Sequence, residues 1–129
     1  MANSKNIQFR IPDLHRFITF PYPGPHPDAT RAERESIDWL SSYEPFGPVG
    51  ATRKFYEKAR VGILGGYGYP YGSYEGMRAC TDFINVIITL DEMTDHMSGK
   101  DAREIMVNHL RVLFGGECDG SPISKISAE

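Results

Sequence analysis

The stretch Phe83-Ile84-Asn85-Val86-Ile87-Ile88-Thr89-Leu90, followed at once by Asp91-Glu92-Met93-Thr94-Asp95, decides how the rest of the chain is read. A nearly unbroken apolar run with Asn85 inside it stops abruptly at an acidic cluster. A membrane-spanning helix needs about 20 apolar residues, so eight do not make one. With the residues ahead of it, the stretch predicts a helix over about 73–95 whose centre is apolar nearly all round. A helix without a polar face is expected to be buried by neighbours on several sides.

Working outward, three more helices are expected. Asp28 is placed to cap a helix over about 28–43, with Ala32, Ile37, Trp39 and Leu40 set among charges. Pro45, Gly47, Pro48 and Gly50 break it. A second helix is expected over about 51–64, with Phe55, Ala59 and Ile63 on one face. Residues 65–72, Gly-Gly-Tyr-Gly-Tyr-Pro-Tyr-Gly, read as a loop. The last helix opens at Ser98, which can cap with Asp101 three residues on. It carries Ile105, Met106, His109 and Leu113 on one face and ends at Gly115-Gly116. His109, set among apolar residues, reads as a buried structural histidine.

Prolines 21, 23, 25 and 27 exclude regular helix, since each removes a donor and restricts its predecessor. The organisation expected is therefore all-α: an extended lead-in over 1–27, helices over 28–114 and a disordered, polar tail over 115–129. Four helices, one apolar all round, want more partners than 129 residues supply. The chain is either a small bundle or the front of a larger one.

Composition narrows the function. Forty per cent of residues are hydrophobic and 12% aromatic, as in a globular protein, and the length fits one domain or part of one. Fourteen basic against 17 acidic residues, with no basic block, lack the electrostatic footprint of a nucleic-acid binder. Residues 1–10 contain no apolar signal region, and Cys80 and Cys118 make neither a disulfide framework nor a CxxC metal motif. A reduced cytoplasm is the expected compartment. Gly65-Gly66-Tyr67-Gly68 lacks the spacing of a nucleotide-binding loop, and the four histidines show no HExxH pattern.

The acids after the apolar run carry the chemistry. Asp91 and Asp95 are i, i+4 and project from one helical face. Like charges at that spacing cost a helix roughly 0.2–0.5 kcal/mol. Carboxylates near a C-terminus also oppose the macrodipole, at about 0.3–1 kcal/mol each. A cation between them reverses that penalty, and Mg²⁺ suits such a pair because it fills its remaining positions with water and phosphate oxygens. The plain alternative is a solvated helix end. An EF-hand does not fit, since Met93, His96 and Ala102 fall on its ligand and glycine positions.

Taken in order, Phe9-Arg10-Ile11-Pro12-Asp13, Trp39, Gly68-Tyr69-Pro70, the segment from Arg78 to Asn85 and the pentad from Asp91 to Asp95 resemble the fungal, basidiomycete-type sesquiterpene synthases. These are class I terpene cyclases of all-α fold. The resemblance runs from about Phe9 to Leu113 and covers only the front part of the family's helical bundle. It implies Mg²⁺-dependent ionisation of farnesyl diphosphate, cyclisation of the resulting cation in an apolar pocket and release of diphosphate. Asp91 would be the principal metal ligand and Asp95 the supporting one, with Glu92 pointing elsewhere. Ile84, Ile87 and Ile88, on the face below Asp91, would line the pocket or simply pack a core. Phe83 and Tyr67, Tyr69, Tyr71 and Tyr74 are read as surface or packing residues rather than cation-stabilising ones.

The family's second metal motif, Asn/Asp-Asp-x-x-Ser/Thr-x-x-x-Glu, is missing, and no Arg is followed by Tyr. Asn85 has Thr89 at +4, but Met93 at +8 cannot bind Mg²⁺. The chain is thus expected to be truncated before that motif and inactive alone. The alternative is a non-catalytic helical remnant that binds diphosphate or acts as an interaction module. The expected partner is an isoprenyl diphosphate, with no nucleic acid and no membrane. Chain-elongating isoprenyl enzymes have motifs denser in aspartate than this one.

Overall fold

The computed structural model describes residues 9–19, 21 and 23–129, apart from the side chain at 15. Among them the chain is all-α, with no strand. Helices α1 (Ala29–Ser41), α2 (Val49–Ala59), α3 (Leu64–Gly68), α4 (Tyr74–Thr94), α5 (Gly99–Leu113) and α6 (Pro122–Ser127) are joined by short turns. Two 3-10 turns, Leu14–Arg16 and Val61–Ile63, complete the elements. Part of the extended lead-in expected over 1–27, namely 1–8, 20 and 22, lies outside the described residues.

The ends of α4 and α5 follow from their caps. Ser73 Oγ accepts from the Gly76 N–H at 3.2 Å and starts α4. Ser98 Oγ accepts from the Asp101 N–H at 3.3 Å and donates to its carboxylate at 2.8 Å, closing the first turn of α5. Asp28 stands at the N-cap of α1, although its side chain makes no capping bond. Its N–H instead meets His26 Nδ1 at 3.1 Å.

α4 is not buried on several sides as expected; it buries one face, and that face is largely polar. Met77, Thr81, Asn85, Thr89 and Leu90 are buried, while Phe83 is 65% and Ile87 46% exposed. The reason is what α1 offers. Its inner face, Ala29, Ala32, Ser36 and Leu40, is small where it meets α4, and it supplies a polar partner. Asn85 Nδ2 donates to Ser36 Oγ at 2.9 Å, and the Tyr56 hydroxyl of α2 shares a short hydrogen bond with Thr89 Oγ1. Thr81 and Thr89 also donate to carbonyls one turn back, Met77 O at 3.1 Å and Asn85 O at 2.7 Å. Each buried polar group on this face is therefore satisfied, which removes the roughly 1–3 kcal/mol penalty of an orphan.

The single helix expected over 51–64 is broken. Arg60 takes a left-handed conformation, φ 52°, its N–H bonded to Tyr56 O at 2.8 Å, and the chain restarts as Val61–Ile63 and α3. Phe55 and Ala59 still share a face of α2, but Ile63, past the break, does not continue it; Thr52 and Tyr56 are the buried residues of α2. The break lets glycines reach α4. A Cβ on Gly62 would stand 2.7 Å from Asn85 Nδ2, and one on Gly65 would overlap Thr81 Oγ1 and lie 3.0 Å from the Thr81 backbone nitrogen. Gly66 meets Ala29 in the same way. Residues 65–68, expected as loop, are thus a helical turn whose buried Gly65 and Gly66 wedge between α4 and α1.

A second correction concerns the tail. Residues 115–129, expected to be disordered, hold α6, started by Ser121 and Pro122. Ile123 and Ile126 are buried, and Ile126 joins Ile37, Leu40 and Tyr56 in the main core cluster, with Trp39, Phe46, Phe55 and Val86 packed around it. His109, buried as expected, has Nδ1 2.7 Å from Ser127 Oγ, which in turn donates to Ile123 O at 2.5 Å. Burial pushes the His109 imidazole below its usual pKa. On α5, however, Met106 and Leu113 are exposed, and Val112 is the apolar residue that is buried.

Gly65→Ala should destabilise the chain by about 1–3 kcal/mol, because the new Cβ overlaps Thr81 Oγ1, which is held by its bond to Met77 O, and presses on the α4 backbone behind it. Gly68→Ala, which meets nothing within 4 Å, should be neutral or slightly stabilising; urea unfolding of the two variants checks this. Burial raises the Tyr56 hydroxyl to about 12. Its contribution to stability is therefore complete below the unfolded value near 10 and is lost as pH rises toward 12. Unfolding curves across that window should weaken steeply in the wild type and less in Tyr56→Phe.

Candidate functional site

At about 100° per residue, Cys80, Ile84, Ile87, Ile88 and Asp95 all lie within roughly 60° of Asp91 around the α4 axis, with Phe83 about 80° away. The helical path does not end before the acids are placed: Asp95 keeps right-handed helical dihedrals, and its N–H meets Asp91 O at 3.0 Å. The expected projection of Asp91 and Asp95 from one face therefore holds. Thr94, between them, is half-buried and donates to Leu90 O of its own helix at 2.9 Å.

Asp91, Glu92 and Asp95 are exposed. Among the described residues their carboxylates make no hydrogen bond and no ion pair, in contrast to the acids elsewhere on α1 and α4. Asp82 accepts from Arg78 Nε at 2.9 Å. Glu35 accepts from Tyr74 at 2.5 Å, from Arg31 at 2.9 Å and from Arg78 at 3.1 Å. The Tyr74 hydroxyl, then Arg31, hold the Glu35 carboxyl below its usual range. That network clamps α1 to α4 and leaves the Asp91 end unpaired.

Below Asp91 the surface is apolar and open. Ile87 is exposed, and Cys80, Ile84 and Ile88 are half-buried. Ile84, Ile87 and Ile88 are thus not packed into a closed core. Phe83, read from the sequence as a surface or packing residue, is among the most exposed large apolar side chains, about 12 Å along the axis from Asp91. The tyrosines divide: Tyr67, Tyr69 and Tyr71 are exposed, while Tyr74 carries the Arg31 guanidinium 4.2 Å above its ring. No group of three or more His, Cys, Asp or Glu is close enough to hold a metal among the described residues. The donor set is two unpaired, hard carboxylate oxygen ligands, which fits a cation that takes few protein ligands and fills its shell from water and phosphate.

The comparisons agree on descent. The bifunctional terpene synthase Agr4 of Cyclocybe aegerita is 32% identical over 126 residues, covering 95% of this chain and 35% of its own length. Viridiflorene synthase Agr2 of the same fungus is 31% identical, covering 96% of this chain and 32% of its own. A sesquiterpene synthase of Sphaerobolus stellatus is 33% identical over 114 residues, 86% of this chain and 32% of its own. Over most of its length this chain is related to the fungal sesquiterpene synthases. It spans about a third of the length of the curated synthases it matches. No family model and no solved structure matches it. No helix among the described residues is long and apolar enough to cross a membrane.

The unpaired acids leave an energetic signature. Asp91→Asn and Asp95→Asn should each stabilise the metal-free chain by about 0.3–1 kcal/mol, by removing a charge that opposes the helix dipole and its neighbour. Asp82→Asn, which loses the Arg78 pair, should not stabilise it; melting temperatures of the three variants in chelator test the contrast.

Proposed function

We propose that the chain is the front of a sesquiterpene synthase, carrying the first metal-binding carboxylates and one wall of the hydrocarbon pocket. The observation that supports this reading most is on α4, where the unpartnered Asp91 and Asp95 crown the same face as the open apolar surface of Ile84, Ile87 and Ile88. Asp91 is the principal Mg²⁺ ligand and Asp95 the supporting one. The bound metal supplies Lewis-acid neutralisation of the leaving diphosphate of farnesyl diphosphate.

The chain's own residues do the positioning. The two carboxylates fix the diphosphate end at the top of α4, and the isoleucines below give the hydrocarbon a water-poor surface along the axis. The Arg78–Glu35–Tyr74 clamp fixes α4 against α1, so both groups keep one orientation. Two carboxylates hold only part of a metal cluster, so the 129 residues bind diphosphate without completing a turnover. The compartment of this reading is the cytoplasm.

Thermal melting tests the assignment. Mg²⁺ with pyrophosphate should raise the melting temperature, neither component alone should match it, and Asp91→Asn should abolish the gain; at 100-fold saturation the stabilisation is about 2.7 kcal/mol. No Mg²⁺-dependent gain in the wild type would remove the diphosphate role. Incubation with farnesyl diphosphate and Mg²⁺, followed by analysis of volatiles, should give no cyclic terpene above the Asp91→Asn control.

A further inference from the structure

On the side of α1 away from the α4 seam, an open cleft of about 240 Å³ lies between α1 and α2, lined by Thr30, Glu33, Arg34, Arg53, Glu57 and Arg60 among others. Glu33 is only 7% exposed, yet its carboxylate accepts no hydrogen bond. Oε2 stands 3.7 Å from Arg60 Nη2, too long for one, and Oε1 has no partner. A buried carboxylate in that condition wants a donor. The cations around it differ in commitment: Arg53 is paired with Asp38 at 2.5 Å, Arg60 faces Glu33 loosely, and Arg34 has no partner among the described residues.

Two simple ligands fail here. A cation would meet three arginines, and a fully ionised dianion would bring acceptors alone to Glu33. A phosphate group that keeps one proton satisfies both. We infer that the α1–α2 cleft binds a singly protonated phosphate group, its P–OH donating to the Glu33 carboxylate and its other oxygens accepting from Arg34 and Arg60. No bond is made or broken. The site is separate from Asp91 and Asp95 and does not need the metal.

Sulfate is the discriminating probe, since it has the shape of phosphate but no proton at neutral pH. Backbone amide shifts of the full chain would be followed by NMR at pH 7, in chelator and at matched ionic strength, during titration with inorganic phosphate or with sulfate. The expected result is saturable shifts confined to α1 and α2, with phosphate bound about tenfold tighter than sulfate, the worth of one charge-assisted hydrogen bond. Glu33→Gln, which replaces acceptors by a donor, should bring sulfate level with phosphate. Arg34→Ala, at an exposed side chain with no partner, should weaken phosphate by a similar factor, and Asp91→Asn should change nothing. Equal response to the two anions in the wild type would mean unspecific arginine screening and overturn the site. No response at millimolar phosphate would mean the cleft holds only water, and loss of the response in Asp91→Asn would move it to α4; either overturns it.

Discussion

The fold is arranged around a hydrogen-bonded seam that joins α4 to α1 and, through Tyr56, to α2. Asn85 reaches Ser36, Thr89 meets Tyr56, and Thr81 turns back on its own helix. Polar side chains can be buried only where each finds a partner, so this seam has one register and one rotation of α4. The glycines of the third segment enforce it from the side. Gly62 and Gly65 come so close to Asn85 and Thr81 that no side chain fits between. Rotating α4 to bury its isoleucines would strand Asn85 and drive those glycines apart.

That rotation also places the site. With the threonine and asparagine face turned inward, Ile84, Ile87 and Ile88 turn outward and Asp91 and Asp95 stand above them. An apolar face left open beside unpaired acids is costly for an isolated domain. On the function proposed above, it is the surface that a hydrocarbon chain would meet. The same choice of face thus couples packing to chemistry. The arginines near the start of α4 are engaged there, Arg78 with Glu35 and Asp82 and Arg31 with Glu35.

Much of this was legible in the residues, and what was not has physical causes. The extents of α4 and α5, the Ser98 cap and the shared direction of Asp91 and Asp95 follow from spacing, because local hydrogen bonding sets them. The face α4 buries does not. Hydropathy treats Thr81, Asn85 and Thr89 as interruptions, since the partners that make them buriable, Ser36 and Tyr56, lie more than thirty residues away. Gly65 and Gly66 look like turn residues until Thr81 and Ala29 are seen against them. Ile123 and Ile126 look too few to order a polar tail, yet both are buried and Ile126 completes a cluster assembled from α1 and α2. Glu33 carried no signal at all, for an unmatched buried oxygen is a property of three dimensions.

A seam built from amides and hydroxyls has a calorimetric consequence. Exposing polar groups on unfolding lowers the heat-capacity increment, whereas exposing apolar groups raises it. Here Asn85, Thr81, Thr89, Ser36 and Thr52 are hidden, while Phe83 and Ile87 are wet in the native state and add little when it melts. The increment should fall below the usual value of about 12–15 cal/mol/K per residue. Its stability would then vary gently with temperature, a broad and shallow dome rather than a sharp one.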